Sequence, residues 1–334
     1  MTSTANKSGA SRRNILIGLP LAATAAALPV EAAEPMWSAQ YQAKKDGVTL
    51  ALYRKRLTAP QPGGPKLPVL FLVHGSTVAA LTSFDLTVPG AGEYSMMNVF
   101  ARYGFDVWSM DFQGYGKSSM TNGNSDIAMG VSDLRTGTEL VARETGQEKF
   151  HFMGESAGAI RAGAFAVAEP QRVDRLVLEA FTYTGKGSPT LSKRSERLAY
   201  FKTHNRRPRG PDDIRSITTR DKPGTTDPRV ADAMVKADMQ YGDSVPTGTY
   251  LDMTANLPLV DPSKVESPVL LIRGQYDGIS TEADLIDFFT KLPNQDREYA
   301  VVAGAAHSII VSVNRAALWH TMNAFLTMPK TVPI

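Results

Sequence analysis

The first half of the chain alternates short apolar runs with polar punctuation. Val48–Arg56 reads as an opening strand, closed by the turn-rich stretch 59–65. Residues 68–73 (Pro-Val-Leu-Phe-Leu-Val) are apolar throughout, the pattern of a strand covered on both faces within a parallel sheet. That strand runs into His74-Gly75-Ser76-Thr77. Residues 96–103 then predict a helix capped by Gly104, followed by a strand over 105–110. Ile127–Thr145 is a long helical stretch stopped at Gly146. A strand over 150–153 leads straight into Gly154-Glu155-Ser156-Ala157-Gly158 and an Ala-rich helix to about Ala168. Further strands are expected over 175–180, 268–273 and 298–302, with a terminal helix over 316–326. Strand–helix alternation with short connections predicts an α/β fold, a mostly parallel central sheet with helices on both faces.

Residues 184–262 break that rhythm. The interval is rich in Arg, Asp and Thr, lacks a clear strand, and carries helical patterns over 192–201 and 227–241. It is expected to be an inserted helical cap over the carboxyl edge of the sheet. The core is then 33–183 together with 263–334. Arg194, Arg197, Arg206, Arg207 and Arg209 cluster in the insertion, nearly balanced by acidic neighbours. They read as a solvated face, with recognition of an anionic substrate group as the alternative.

Composition changes this picture in two places. The 334 residues contain no cysteine, which excludes disulfides, thiolate metal sites and a cysteine nucleophile. At the N-terminus, Arg12-Arg13 precede a small-residue apolar run that reaches Val30 and a candidate cleavage site near Ala32. A basic region, a short apolar core and a small-residue end predict a signal peptide over 1–32 of the twin-arginine type. The protein is thus expected to be exported, periplasmic or secreted. The run is too short to serve as a stable membrane anchor. Its removal takes away Lys7, Arg12 and Arg13 with Glu31, so the formal charge falls from +3 to +1. No nucleic-acid partner is implied by so small a charge.

Gly154-x-Ser156-x-Gly158 is a weak string by itself, but here it lies between an apolar strand and a small-residue helix, the context a nucleophile elbow needs. A serine in so tight a turn requires neighbours with almost no side chain, and Gly154, Ala157 and Gly158 meet that need. Of five histidines, His307 follows the last strand in a run of small residues. His74, His151, His204 and His320 read as structural or solvent-facing.

On these motifs the chain resembles the α/β-hydrolase fold superfamily over nearly all of residues 48–327, in a capped, serine-esterase-like form. The resemblance implies Ser156 as nucleophile and His307 as base. It also implies an oxyanion hole formed by the backbone amides of Ala157 and of Ser76 or Thr77. The stretch from Asp111 to Ser118 is similar to the family's D-x-x-G-x-G-x-S loop, which has a structural role. The acid has two candidates. Asp277, in Gly274-Gln275-Tyr276-Asp277-Gly278, stands where most members carry it. Glu179 closes a core strand where the chain resembles haloalkane dehalogenases with a catalytic glutamate. Asp-Gly is ordinary turn chemistry, whereas a buried carboxylate without a partner is costly, so Glu179 is the preferred acid.

The expected activity is hydrolysis of a small-molecule carboxylic ester through an acyl-enzyme, with neither metal nor organic cofactor implied. Amidase, lactonase and C–C bond hydrolase are alternatives on the same triad, and a non-catalytic ligand-binding homologue is the remote one.

Overall fold

The computed structural model of the chain describes residues 36–329. The expected signal segment 1–32 lies outside the described residues.

The strands, in chain order, are β1 (Trp37–Lys45), β2 (Val48–Arg56), β3 (Val69–Val73), β4 (Asp106–Met110), β5 (Phe150–Glu155), β6 (Val173–Glu179), β7 (Arg206–Pro208), β8 (Ser244–Pro246), β9 (Val269–Gly274) and β10 (Arg297–Val302). Eight of them form one sheet in the order β1-β2-β4-β3-β5-β6-β9-β10. The β1–β2 and β2–β4 pairs are antiparallel. From β4 through β10 every pairing is parallel. β3 shows why its run is wholly apolar: Phe71 joins the core on one face of the sheet, Leu70 and Leu72 the core on the other. The helices Ile127–Thr145 and Ala157–Ala168 cover the first face. Met96–Arg102 and Arg315–Leu326 cover the second. Ile127–Thr145 has the bounds its pattern predicts, because both ends are chemically marked. The Asp126 side chain accepts from the Met129 amide, and Gly146 turns left-handed at φ 63°.

Two expectations differ from the structure. β1 has no sequence signal strong enough to announce it, since an edge strand covered on one face needs only every second side chain buried. The insertion does contain a ladder, β7 with β8, pairing Arg206 with Pro246. Three residues per strand, one of them proline, leave no period-two pattern. Elsewhere the insertion is helical, but the pattern over 192–201 splits into Pro189–Ser195 and Leu198–Thr203.

The insertion is fastened to the sheet edge through buried polar groups. Arg209 pairs with Asp238, the Asp238 carboxylate accepts from the Ala79 amide at 2.8 Å, and Arg209 also donates to the Thr77 carbonyl at 2.8 Å.

Candidate active site

β5 ends at Glu155 and the helix Ala157–Ala168 begins one residue later, leaving Ser156 alone in the turn at φ 56°, ψ −119°. That left-handed conformation is costly for a residue with a Cβ and persists only where its surroundings impose it. The two glycines show how. A Cβ on Gly154 would strike the Gly158 carbonyl, and one on Gly158 would strike that of Val73. The Ser156 amide is tied to the Glu179 carbonyl at 2.9 Å, so the elbow is stitched to the neighbouring strand.

His307 reaches this serine from the loop after β10. Its Nε2 lies 2.8 Å from Ser156 Oγ. Its Nδ1 lies 2.8 Å from Asp277 Oδ1. An ionised carboxylate only accepts, so Nδ1 carries the proton and Nε2 is free to accept from the serine hydroxyl. Asp277 Oδ1 also accepts from the amides of Ile279 at 2.8 Å and Ser280 at 2.9 Å. Burial works against its charge, but His307 and those amides outweigh it and hold the carboxyl below its ordinary value.

Glu179, the acid preferred on burial grounds, does not touch His307. It is fully buried at the end of β6, one oxygen accepting from the Ile309 amide at 3.3 Å and the other unpartnered. Burial, with Glu155 and Asp277 close by, pushes its carboxyl well above the ordinary value. The premise that a buried carboxylate is costly holds. The structure offers Glu179 no ion pair, and its surroundings push it toward the neutral form. Glu155, which sequence reasoning passed over as the variable residue of the elbow, is its partner across the β5–β6 ladder and is likewise buried and pushed up by burial. A buried acidic residue beside the nucleophile was the available signal.

The Ser76 and Ala157 amides, the two expected oxyanion donors, donate to no acceptor among the described residues. The loop carrying Ser76 is held on several sides. Tyr115 donates to the Ser76 carbonyl at 2.9 Å, Thr249 to its hydroxyl at 2.9 Å, and Tyr250 meets the Thr77 hydroxyl at 3.0 Å. His74 sits beneath, its Nε2 accepting from the Phe112 amide at 3.3 Å, and burial pushes its pKa down to about 3. It is therefore a neutral brace. Asp111 holds the neighbouring loop, accepting from Ala80 N, Lys117 N and Tyr53 Oη. Thr249 and Tyr250 belong to the insertion, whose part in holding this loop the sequence did not reveal.

A serine, a histidine and an aspartate in line at the carboxyl edge of this sheet can be placed among known proteins. Residues 89–313 match the hydrolase family described as serine aminopeptidase, S33. The chain belongs to that family. The match contains Ser156, Asp277 and His307. A lipase, lipl-3, of Caenorhabditis elegans is 32% identical over 34% of this chain and 30% of its own length. A 2-hydroxy-6-oxononadienedioate/2-hydroxy-6-oxononatrienedioate hydrolase of Paraburkholderia phymatum is 31% identical over 38% of this chain and 44% of its own. The chain thus matches less than half the length of either curated relative. Among solved structures, a Pseudomonas aeruginosa hydrolase superposes with a TM-score of 0.64 at 20% identity, covering 86% of this chain and 98% of that one. A 2-hydroxy-6-oxo-6-phenylhexa-2,4-dienoate hydrolase from Rhodococcus superposes at 0.61 and 18% identity, covering 88% and 100%. Those similarities establish the α/β-hydrolase fold.

In this hydrolase Ser156 and His307 open onto a narrow cleft. Apolar walls come from Val78, Ile279 and Ile310 on the core side and from Ile217 and Met234 on the insertion. Arg194 and Arg220 supply cationic groups, and Glu155 also lines the cleft. No group of three metal-ligating side chains occurs among the described residues.

Proposed function

We propose that the chain hydrolyses carboxylic esters through an acyl-enzyme on Ser156. The observation that carries this reading is the pair of 2.8 Å contacts joining Ser156, His307 and Asp277. Ser156 Oγ attacks the ester carbonyl carbon as His307 Nε2 takes its proton. The carbonyl oxygen becomes an oxyanion, met by the Ser76 and Ala157 amides, and the latter opens a helix whose N-terminus favours negative charge. His307 then protonates the departing alkoxide, leaving the acyl group on Ser156. A water, deprotonated by His307, attacks that acyl-enzyme, and collapse of the second tetrahedral intermediate frees the acid and returns the proton to Ser156. Asp277 keeps the proton on Nδ1 and stabilises the imidazolium in both halves.

C–C bond hydrolysis on the same residues is the second reading, favoured by the relative that acts on 2-hydroxy-6-oxononadienedioate. The test of nucleophile and enzyme class is labelling by a fluorophosphonate with peptide mapping. A single adduct on Ser156, accompanied by turnover of aryl and alkyl esters, is expected. Absence of the adduct would leave a ligand-binding homologue instead. Turnover of vinylogous diketones with esters left intact would favour the second reading. We propose further that residues 1–32 direct export, a reading supported by Arg12-Arg13 ahead of the apolar run.

A further inference from the structure

Arg194 and Arg207 flank the Tyr250 ring, and Arg220 lines the same outer cleft. Arg207 is paired with Asp213 at 3.1 Å and donates to the Tyr250 hydroxyl at 3.0 Å. Arg220 is held by both oxygens of Asp221, at 3.1 and 3.2 Å. Arg194 has no carboxylate partner among the described residues. Its guanidinium rests 5.0 Å from the Tyr250 ring centroid and 3.7 Å from the Met253 sulfur, neither of which cancels its charge. Three guanidiniums therefore share two carboxylates.

Position turns this imbalance into a statement about ligands. Arg194 and Arg220 line the cleft that holds Ser156 and His307, and both also line a wider outer cleft on the insertion side. Five Lys and Arg side chains line that outer cleft against three carboxylates. The two clefts thus share two arginines and the outer one carries an excess of positive charge, and a cleft with low-dielectric walls concentrates that field. Burial, with Arg220 and Arg207 adding repulsion, pulls the Arg194 guanidinium down to about 10, so it stays charged at neutral pH. An uncompensated cation in such a place is costly, and a bound anion would relieve it. A solvated arginine face, the plain alternative, needs a side chain turned to water, and this one faces the reaction cleft.

We infer that the substrate is an ester bearing a carboxylate beyond the scissile group, and that Arg194 is the specificity residue that receives it. The inference rests on the acyl-enzyme reading above. The apolar walls then hold the connecting carbons, while the planar fork of the guanidinium accepts the carboxylate.

The test uses two pairs of esters that differ only in charge: 4-nitrophenyl hydrogen glutarate against its methyl ester, and 3-acetoxybenzoate against its methyl ester. The readout is the ratio of kcat/KM, acid over methyl ester. Wild-type protein should show a ratio of about ten or more in at least one pair, the discrimination that a single charge-assisted contact sustains. Arg194→Gln should bring that ratio to about one, and Arg194→Lys should retain part of it. Raising salt from roughly 0.05 to 0.5 M should shrink the wild-type ratio and leave that of Arg194→Gln flat. A merely structural role for Arg194 would move both esters together and spare the ratio, which overturns the inference. So would a wild-type ratio at or below one in both pairs. Neither result touches the acyl-enzyme reading, which falls only if none of the four esters is cleaved and Ser156 takes no fluorophosphonate.

Discussion

The ends of β6 and β9 lie side by side in the sheet, Glu179 opposite Ile272, and a buried carboxyl group stands at or just beyond each end. Asp277, beyond the end of β9, faces three donors at 2.8–2.9 Å. Glu179, at the end of β6, faces one amide at 3.3 Å and the carboxyl groups of Glu155 and Asp277. The same depth of burial therefore goes with opposite shifts of the two carboxyl groups. Asp277 is held ionised by what surrounds it, and Glu179 is pushed toward its neutral form. Donors, not burial, decide which carboxylate can support an imidazolium. Nor were turn chemistry and catalytic chemistry rivals at Asp277. The oxygen that closes the Asp-Gly turn onto Ile279 and Ser280 also meets His307, so the turn aims the acid.

The largest effect should come from the nucleophile, and it also probes which acid belongs to it. Ser156→Ala should fold normally and lose a factor on the order of 10⁶ in kcat. If Asp277 acts only through His307 on Ser156, adding Asp277→Asn to that variant should cost almost nothing more, because members of one catalytic unit are far from additive. A further loss near 10⁴ in the double variant would separate Asp277 from the unit. A smaller effect is expected at Tyr250, which ties the insertion to the Ser76–Thr77 loop through Thr77. Tyr250→Phe removes about 1 kcal/mol of hydrogen bonding, so kcat should fall by up to about tenfold while KM changes little. A rise in KM alone would place Tyr250 in substrate binding.

The smallest effect concerns stability, and here the two carboxylates should diverge with pH. Glu179 has a raised folded pKa, so between its ordinary value and that raised one the folded state binds more protons than the unfolded chain. Its contribution is present at low pH and is lost as pH rises. Asp277 has a lowered folded pKa, so its contribution is present above the ordinary carboxylate value and is lost as pH falls through the lowered one. Glu179→Gln should therefore melt higher than wild type at alkaline pH, by roughly 2 °C, with the gain shrinking toward pH 4. A gain that grows toward low pH would contradict the upward shift of the Glu179 carboxyl.

Much of this molecule can be read from pattern. A run apolar at every position marks β3, and the marked ends of Ile127–Thr145 give that helix its bounds. The strand–Gly-x-Ser-x-Gly–helix context singles out Ser156, and the small-residue loop after the last strand singles out His307, both of which the structure brings together. What pattern conceals is whatever depends on contacts between distant segments. β1 is an edge strand with one half-covered face, and β7 and β8 are three residues each. Of the donors that separate Asp277 from Glu179, the amides of 279 and 280 belong to the local turn, whereas the His307 ring is placed only once β9 and β10 are paired. A close approach of backbone there is required as well, since a Cβ on Gly274 would strike the Ala306 carbonyl. The bracing of Ser76 and Thr77 by Thr249 and Tyr250 spans more than 170 residues of sequence, and no local periodicity announces it.

The claim at the centre of this account is that Asp277, and not Glu179, orients and supports His307. Asp277→Asn and Glu179→Gln, each folded as judged by thermal melting, should be compared for kcat on one activated ester. Asp277→Asn should lose about 10⁴-fold, the cost of holding a triad histidine in the wrong tautomer, whereas Glu179→Gln, at a carboxyl group that makes no bond to His307, should remain within about tenfold of wild type. A crippled Glu179→Gln beside an active Asp277→Asn would contradict the account directly.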